Sequence, residues 1–124
     1  MRKKKQKWQE LQKVADRLYQ EVLLSENKVC FGCGRHSEVI HHFIPKSLSA
    51  YLRYDDLNGI PLCGKCHFSH HSKYDPEIIL KVKEKMGRYR LSYLRNHRKD
   101  EERWTRQVGY YEKIIEDLNF KNGN

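Results

Sequence analysis

The sequence predicts a small α+β domain. A strand–loop–strand–helix core, closed by a four-cysteine metal site, sits between an N-terminal helix and C-terminal helices. Three observations point there. Two Cys-x-x-Cys pairs, Cys30/Cys33 and Cys63/Cys66, bracket a His41-His42 pair, and His67-x-x-x-His71 follows at once. Apolar residues recur at helical spacing before this stretch and after it. With 38% hydrophobic and 33% charged residues in a chain of 124, apolar burial alone leaves the fold marginal, a shortage that a structural metal offsets.

At the amino end, Arg2, Lys3, Lys4, Lys5 and Lys7 form a basic run, first a solvated tail and second a phosphate-contacting arm. Trp8, Leu11, Val14 or Ala15, Leu18 and Val22 then recur at helical spacing, which predicts a helix from about residue 6 to 26. Cys30-Phe31-Gly32-Cys33-Gly34 is a tight knuckle whose glycines relieve crowding around a metal. Glu38 to Ile44 is rich in β-branched and aromatic residues and reads as a strand that Pro45 stops. Residues 46–57, with Ser47, Ser49, Asp55 and Asp56, read as a loop, and Ile60 to Leu62 as a second short strand.

Gly64 to Tyr74 predicts a helix that carries His67 and His71 on one face. Asp75-Pro76-Glu77 is a helix start, with an N-cap, proline at the first position and an acid in the first turn. Ile79, Val82 and Met86 carry that helix to Gly87. Arg88 to Lys99 reads as a basic helix with Tyr89, Tyr93 and Leu94 on its apolar side. Thr105 is placed to cap a last helix in which Val108, Tyr111, Ile115 and Leu118 share a face. Whether these are three helices or two stays open. No repeat or low-complexity linker divides the chain, so one domain is expected: tail and helix over 1–27, core over 28–74, helical extension over 75–124.

The cysteines follow C-x2-C-x29-C-x2-C. Each pair can offer two thiolates to one ion, and the two together complete a tetrahedral site with no open position. Among the histidines, His67 and His71 can chelate an ion from one helix face, and His41 can add a third ligand from the strand. Three protein ligands with open positions is the arrangement of a catalytic metal. His42 is then free to act as a base, since an imidazole titrates near pH 6.5. Neighbouring strand residues point to opposite faces, so both histidines reach one site only where the strand twists or ends. His70, three residues after His67, is the alternative to His71.

A formal charge of +9 and a pI near 9.4 suit a polyanionic partner, whether DNA, RNA or a membrane surface. No apolar run reaches the roughly 18 residues of a membrane span. Met1 to Lys5 looks like the start of a signal peptide, but Lys7, Glu10 and Lys13 follow where an apolar region belongs. A cytosolic protein without a membrane partner is expected, and there Cys-x-x-Cys pairs are metal sites more often than disulfides.

The stretch from Cys30 to His71 resembles the HNH nuclease family, in the subgroup that carries a structural zinc. The resemblance covers about residues 28 to 74, and Pro45 and the Leu62-Cys63-x-x-Cys66-His67 string also fit. It implies a ββα-metal core in which Cys30, Cys33, Cys63 and Cys66 hold the structural Zn²⁺. It implies that His42 is the general base, and that His41, His67 and His71 hold one catalytic divalent cation, Mg²⁺, Mn²⁺ or Ni²⁺. The family's spacing favours His71 over His70. Asn58 falls at the family's loop asparagine, which would brace the loop and orient His42, although Asn58-Gly59 is also a turn dipeptide. The implied activity is metal-dependent endonucleolytic hydrolysis of DNA, leaving 5′ phosphate and 3′ hydroxyl ends.

Met86-Gly87-Arg88-Tyr89 and Trp104-Thr105 resemble the tails of phage recombination nucleases of the NinG/Rap kind. That implies branched or recombining DNA as the partner, and a phage-encoded protein acting in the host cell. The competing reading is a non-catalytic zinc module that binds nucleic acid, for which the cysteines alone suffice. His36 reads as a loop residue. His97 and the run Arg88, Arg90, Arg95, Arg98, Lys99, Arg103 and Arg106 read first as a solvated face and second as a nucleic-acid contact.

Overall fold

The first helix, α1 (Lys7–Glu26), forms where the periodicity puts it and buries Ala15, Leu18, Tyr19, Val22 and Leu23. The computed structural model describes residues 6–71 and 75–123, with the main chain alone for His71. The expected arm at Arg2, Lys3, Lys4 and Lys5 therefore lies outside the described residues. Gln6 N–H donates to the Gln9 side chain at 2.8 Å where α1 begins, and Asn27 turns its side-chain amide back to the Leu23 carbonyl where it ends.

Strand β1 (Val39–His42) pairs antiparallel with β2 (Gly59–Leu62), matching Val39 to Leu62, Ile40 to Pro61, His41 to Ile60 and His42 to Gly59. The strand expected over 38–44 is thus shorter at its carboxyl end. Phe43 N–H still bonds the Asn58 main chain, but Ile44 N–H turns to the Asn58 side chain and the ladder stops. A short 3-10 turn (Asp56–Asn58), capped by the Asp55 carboxylate on Leu57 N–H, leads into β2.

Helix α2 (Gly64–His71) follows the second cysteine pair, and α3 (Pro76–Met86) starts at the Asp75 cap. Gly87 sits at φ 84°, in the left-handed region glycine favours, and breaks α3 from α4 (Arg88–His97). With α5 (Val108–Lys121), three helices follow residue 75. Thr105 does not cap the last of them. Gln107 holds the cap position without a side-chain bond, while the Thr105 carbonyl accepts the Tyr111 hydroxyl at 2.7 Å.

Opposed residues of the strand pair share a face. Ile60 and Leu62 face a cluster with Leu52, Val82, Met86 and Leu94, drawn from the loop and from α3 and α4. Ile40 faces α1 and joins Leu18, Tyr19, Val22, Leu23 and, from α5, Leu118. A two-stranded sheet has two open edges, and side chains close both. Ile40 and Pro61 form a non-hydrogen-bonded pair of the ladder, a place that tolerates a proline, so the main-chain groups of Ile40 point outward. Gln20 takes both, accepting from Ile40 N–H at 2.9 Å and donating to its carbonyl at 2.7 Å. On the β2 side, Phe31 N–H bonds the Pro61 carbonyl, and the Arg90 guanidinium donates to the carbonyls of Leu57 and Gly59 at 2.7 and 2.8 Å. Arg90 is therefore a half-buried clamp on the core, not part of the solvated basic face. Gly59 has an ordinary φ of −95°, so no tight turn requires it. A Cβ there would lie 2.3 Å from Leu23 Cδ2 and 2.6 Å from the Tyr19 hydroxyl; glycine lets α1 approach the sheet.

A histidine cleft beside a four-cysteine metal centre

Cys30 and Cys33 stand on a knuckle folded by main-chain bonds, Cys30 N–H to the Arg35 carbonyl and Gly34 N–H to the Cys30 carbonyl. Cys63 lies between β2 and α2, and Cys66 lies in the first turn of α2. The four sulfurs lie within 4.8 Å of one another, the one such group of three or more ligand side chains among the described residues. All are free thiols, three of them buried. Gly32 N–H points at Cys30 Sγ (3.3 Å) and Cys66 N–H at Cys63 Sγ (3.4 Å), as donors do around thiolates. A Cβ at Gly32 would sit 2.9 Å from Cys66 Sγ, so glycine permits the closure. Burial, then the neighbouring thiols of Cys63, Cys33 and Cys30, push the Cys66 thiol far above its ordinary range. A cation reverses that effect by favouring thiolates. Donor type, number and spacing fit a closed zinc-binding site, and with the ββα arrangement they bear out the expected fold class.

The histidines occupy the end of the adjoining strand. His41 faces α2, with its ring centroid 5.2 Å from that of His67 and 4.7 Å from that of His70. His42 faces the other way, stacked on Tyr19 at 5.1 Å. The opposed orientation expected of strand neighbours is thus present. Because the strand ends there, both still line one cleft of about 320 Å³ with His67, Gln20, Pro45 and Lys46. The structure brings His70 beside His41. The side chain of His71, the expected ligand, lies outside the described residues.

His42 Nε2 is 2.9 Å from the Arg53 carbonyl. A carbonyl only accepts, so Nε2 carries the proton and Nδ1 keeps its lone pair. Burial, helped by the Lys46 and Arg53 charges, lowers the pKa of His42 below the ordinary imidazole value, against the opposite pull of the Arg53 bond. Arg53 is itself held by a two-point contact with Asp16, at 3.0 and 2.6 Å.

Asn58 is fully buried and anchors the loop at both ends. Its Oδ1 accepts from Ile44 N–H at 2.7 Å, and its Nδ2 donates to the carbonyls of Ile44 and Leu52 at 3.0 and 3.2 Å. Ile44 lies two residues after His42, and Leu52 one before Arg53, so Asn58 fixes both the ring and the carbonyl that holds it. Sequence reasoning missed Tyr19, Gln20, the Arg53–Asp16 pair and the Tyr93 hydroxyl on Asp55. Their partners are main-chain atoms or distant side chains, and no spacing announces them. His36 and His97 stay outside the cleft; His97 bonds Asp100 at 2.6 Å.

Residues 30–73 match the HNH endonuclease family, a stretch that holds both cysteine pairs, the His41-His42 pair, Asn58, His67, His70 and His71. No curated protein and no solved structure matches the chain. The match supports a nuclease-type enzyme. No helix among the described residues is long and apolar enough to cross a membrane.

Proposed function

We propose, with the HNH endonuclease match over residues 30–73 as premise, that the chain is a metal-dependent endonuclease hydrolysing DNA phosphodiester bonds. The observation that carries this reading is His42. It is a half-buried imidazole with its proton fixed on Nε2 and its Nδ1 lone pair available, in a cleft shared with His41 and His67. The cation of this reading is Mg²⁺, Mn²⁺ or Ni²⁺, with His41, His67 and His71 as ligands and His70 as the alternative; imidazole donors around an open cleft favour Ni²⁺ of the three, and Mg²⁺ or Mn²⁺ would draw its remaining ligands from water and phosphate oxygen. When bound, that cation supplies charge stabilisation at the phosphate and the leaving 3′ oxygen.

His42 Nδ1 takes the proton of the attacking water, and burial keeps the ring neutral for that task near pH 7. Asn58 is a positioning residue: it holds the two loop ends that fix His42. Lys46 brings a cationic charge to the cleft, suited to a phosphate. Cys30, Cys33, Cys63 and Cys66 hold a structural zinc that joins the knuckle to the start of α2 and so sets His67 against His41. The products are 5′ phosphate and 3′ hydroxyl ends, and a chain of charge +9 suits DNA as partner. The likeness at Met86–Tyr89 and Trp104-Thr105 extends the proposal to branched DNA in phage recombination.

The test incubates purified protein with supercoiled, linear and branched DNA, each with Mg²⁺, Mn²⁺ or Ni²⁺ and with EDTA. Cation-dependent cutting is expected, and His42→Ala should slow it by about 10²- to 10⁴-fold while zinc content and folding stay intact. Absence of cutting under every condition would make the non-catalytic zinc module the better account.

A further inference from the structure

A second hollow, of about 190 Å³, opens between the start of α1, the Ala50–Tyr54 segment and the chain entering α5. Its walls are aromatic. Trp8 and Tyr111 lie within 15° of parallel with centroids 6.4 Å apart; Tyr54 and Tyr110 meet Tyr111 nearly at right angles. Tyr111 is pinned on both sides of its hydroxyl, which accepts from Gln12 and donates to the Thr105 carbonyl, so this wall is preformed. Two guanidinium groups complete the site. Arg106 is exposed at the rim. Arg53 uses Nε and Nη2 on Asp16, while its Nη1 makes no hydrogen bond among the described residues.

We propose that this pocket receives one unpaired nucleobase of a DNA strand whose backbone passes the His42 cleft. Its volume falls below the roughly 300–1,000 Å³ of pockets for drug-sized ligands and suits a single planar ring system. Flat aromatic walls stack on any base, a cation at the rim meets the adjoining phosphate, and the Arg53 donors face an acceptor edge. The location adds weight. Arg53 lines this pocket with its side chain and holds His42 with its carbonyl, so base pocket and proposed general base share one residue. A paired base cannot enter, so the pocket selects DNA with an unpaired nucleotide beside the scissile bond. The choice of DNA as partner rests on the nuclease reading; the pocket's chemistry does not.

The test reads binding alone, with full-length zinc-loaded protein and no added divalent cation. Trp104→Phe leaves Trp8 as the sole tryptophan. A single-stranded oligonucleotide, the same strand made abasic, and a blunt duplex are compared by anisotropy of the labelled DNA and by Trp8 fluorescence. The base-bearing strand should quench Trp8 and bind roughly 5- to 150-fold more tightly than the abasic one, the worth of one base–aromatic stack. Trp8→Ala and Tyr110→Ala should each shrink that ratio toward one, and Tyr110→Phe should keep it. Equal affinity for abasic and base-bearing strands overturns the proposal, as does a ratio that survives both alanine variants. Nothing is cut in this experiment. A protein that cleaves no DNA would sink the nuclease reading and leave this result standing, and an abasic strand bound as tightly would do the reverse.

Discussion

At His42 the ring is held at one nitrogen and open at the other, and its titration follows from that setting. A general base works only when deprotonated. Since burial lowers the folded-state pKa below 6.5, the cleavage rate should climb with pH on a limb centred below 6.5. A cation held nearby shifts the limb further in the same direction. Single-turnover rates across pH at saturating cation would test it, and a limb centred above 7 would remove His42 from the role. Asn58 makes a separate prediction. Asn58→Ala strands Ile44 N–H and the carbonyls of Ile44 and Leu52 in the interior, at a cost of about 2–4 kcal/mol in thermal or denaturant unfolding. A variant as stable as the parent would deny it the bracing role.

Among the elements, the contact of α1 with the sheet is the most constrained. Gly59→Ala should destabilise by about 1–3 kcal/mol, because its Cβ meets Leu23 and the Tyr19 hydroxyl at far less than contact distance. In a double-mutant cycle Leu23→Ala, costly alone because Leu23 is buried, should cost less beside Gly59→Ala; additive costs would place the strain elsewhere. The helices were legible in the sequence, since apolar period and the Asp75-Pro76 start both survive into the fold. The strand pair was legible too, from its β-branched residues. The carboxyl end of β1 was not, because Asn58 withdraws Ile44 from the ladder through a side chain distant in sequence. Gln20 and Arg90 were illegible for the same reason: polar side chains that close sheet edges obey no spacing. Thr105 was misread because its carbonyl, not its hydroxyl, meets the last helix.

For the whole molecule, the cysteine centre and the two apolar clusters divide the work of holding the core. Three of the four cysteines belong to the cluster under α3 and α4, so a metal there ties knuckle, sheet and α2 into one packed unit. Cys30→Ser, or stripping the zinc with a strong chelator, should lower the melting temperature and solubility, and His67 should lose its place against His41 along with them. Metal analysis and thermal melts would check this; a protein that purifies without zinc and melts unchanged would contradict it. The metal centre was legible because ligand chemistry needs particular residue types at particular spacings. The aromatic pocket was not, since Trp8, Tyr54 and Tyr110 come together only when α1 and α5 pack.

The partner that fixes the tautomer of His42 is a main-chain oxygen. Every amino acid at position 53 supplies that oxygen, so a substitution scan there would report on the Asp16 pairing and on the aromatic pocket, and leave the imidazole proton where it is. The genetic vulnerability of the proposed base therefore moves to Asn58, where most exchanges release the loop. In a selection for activity, exchanges at position 53 should change which DNA is taken and be followed by position 16, while position 58 stays fixed.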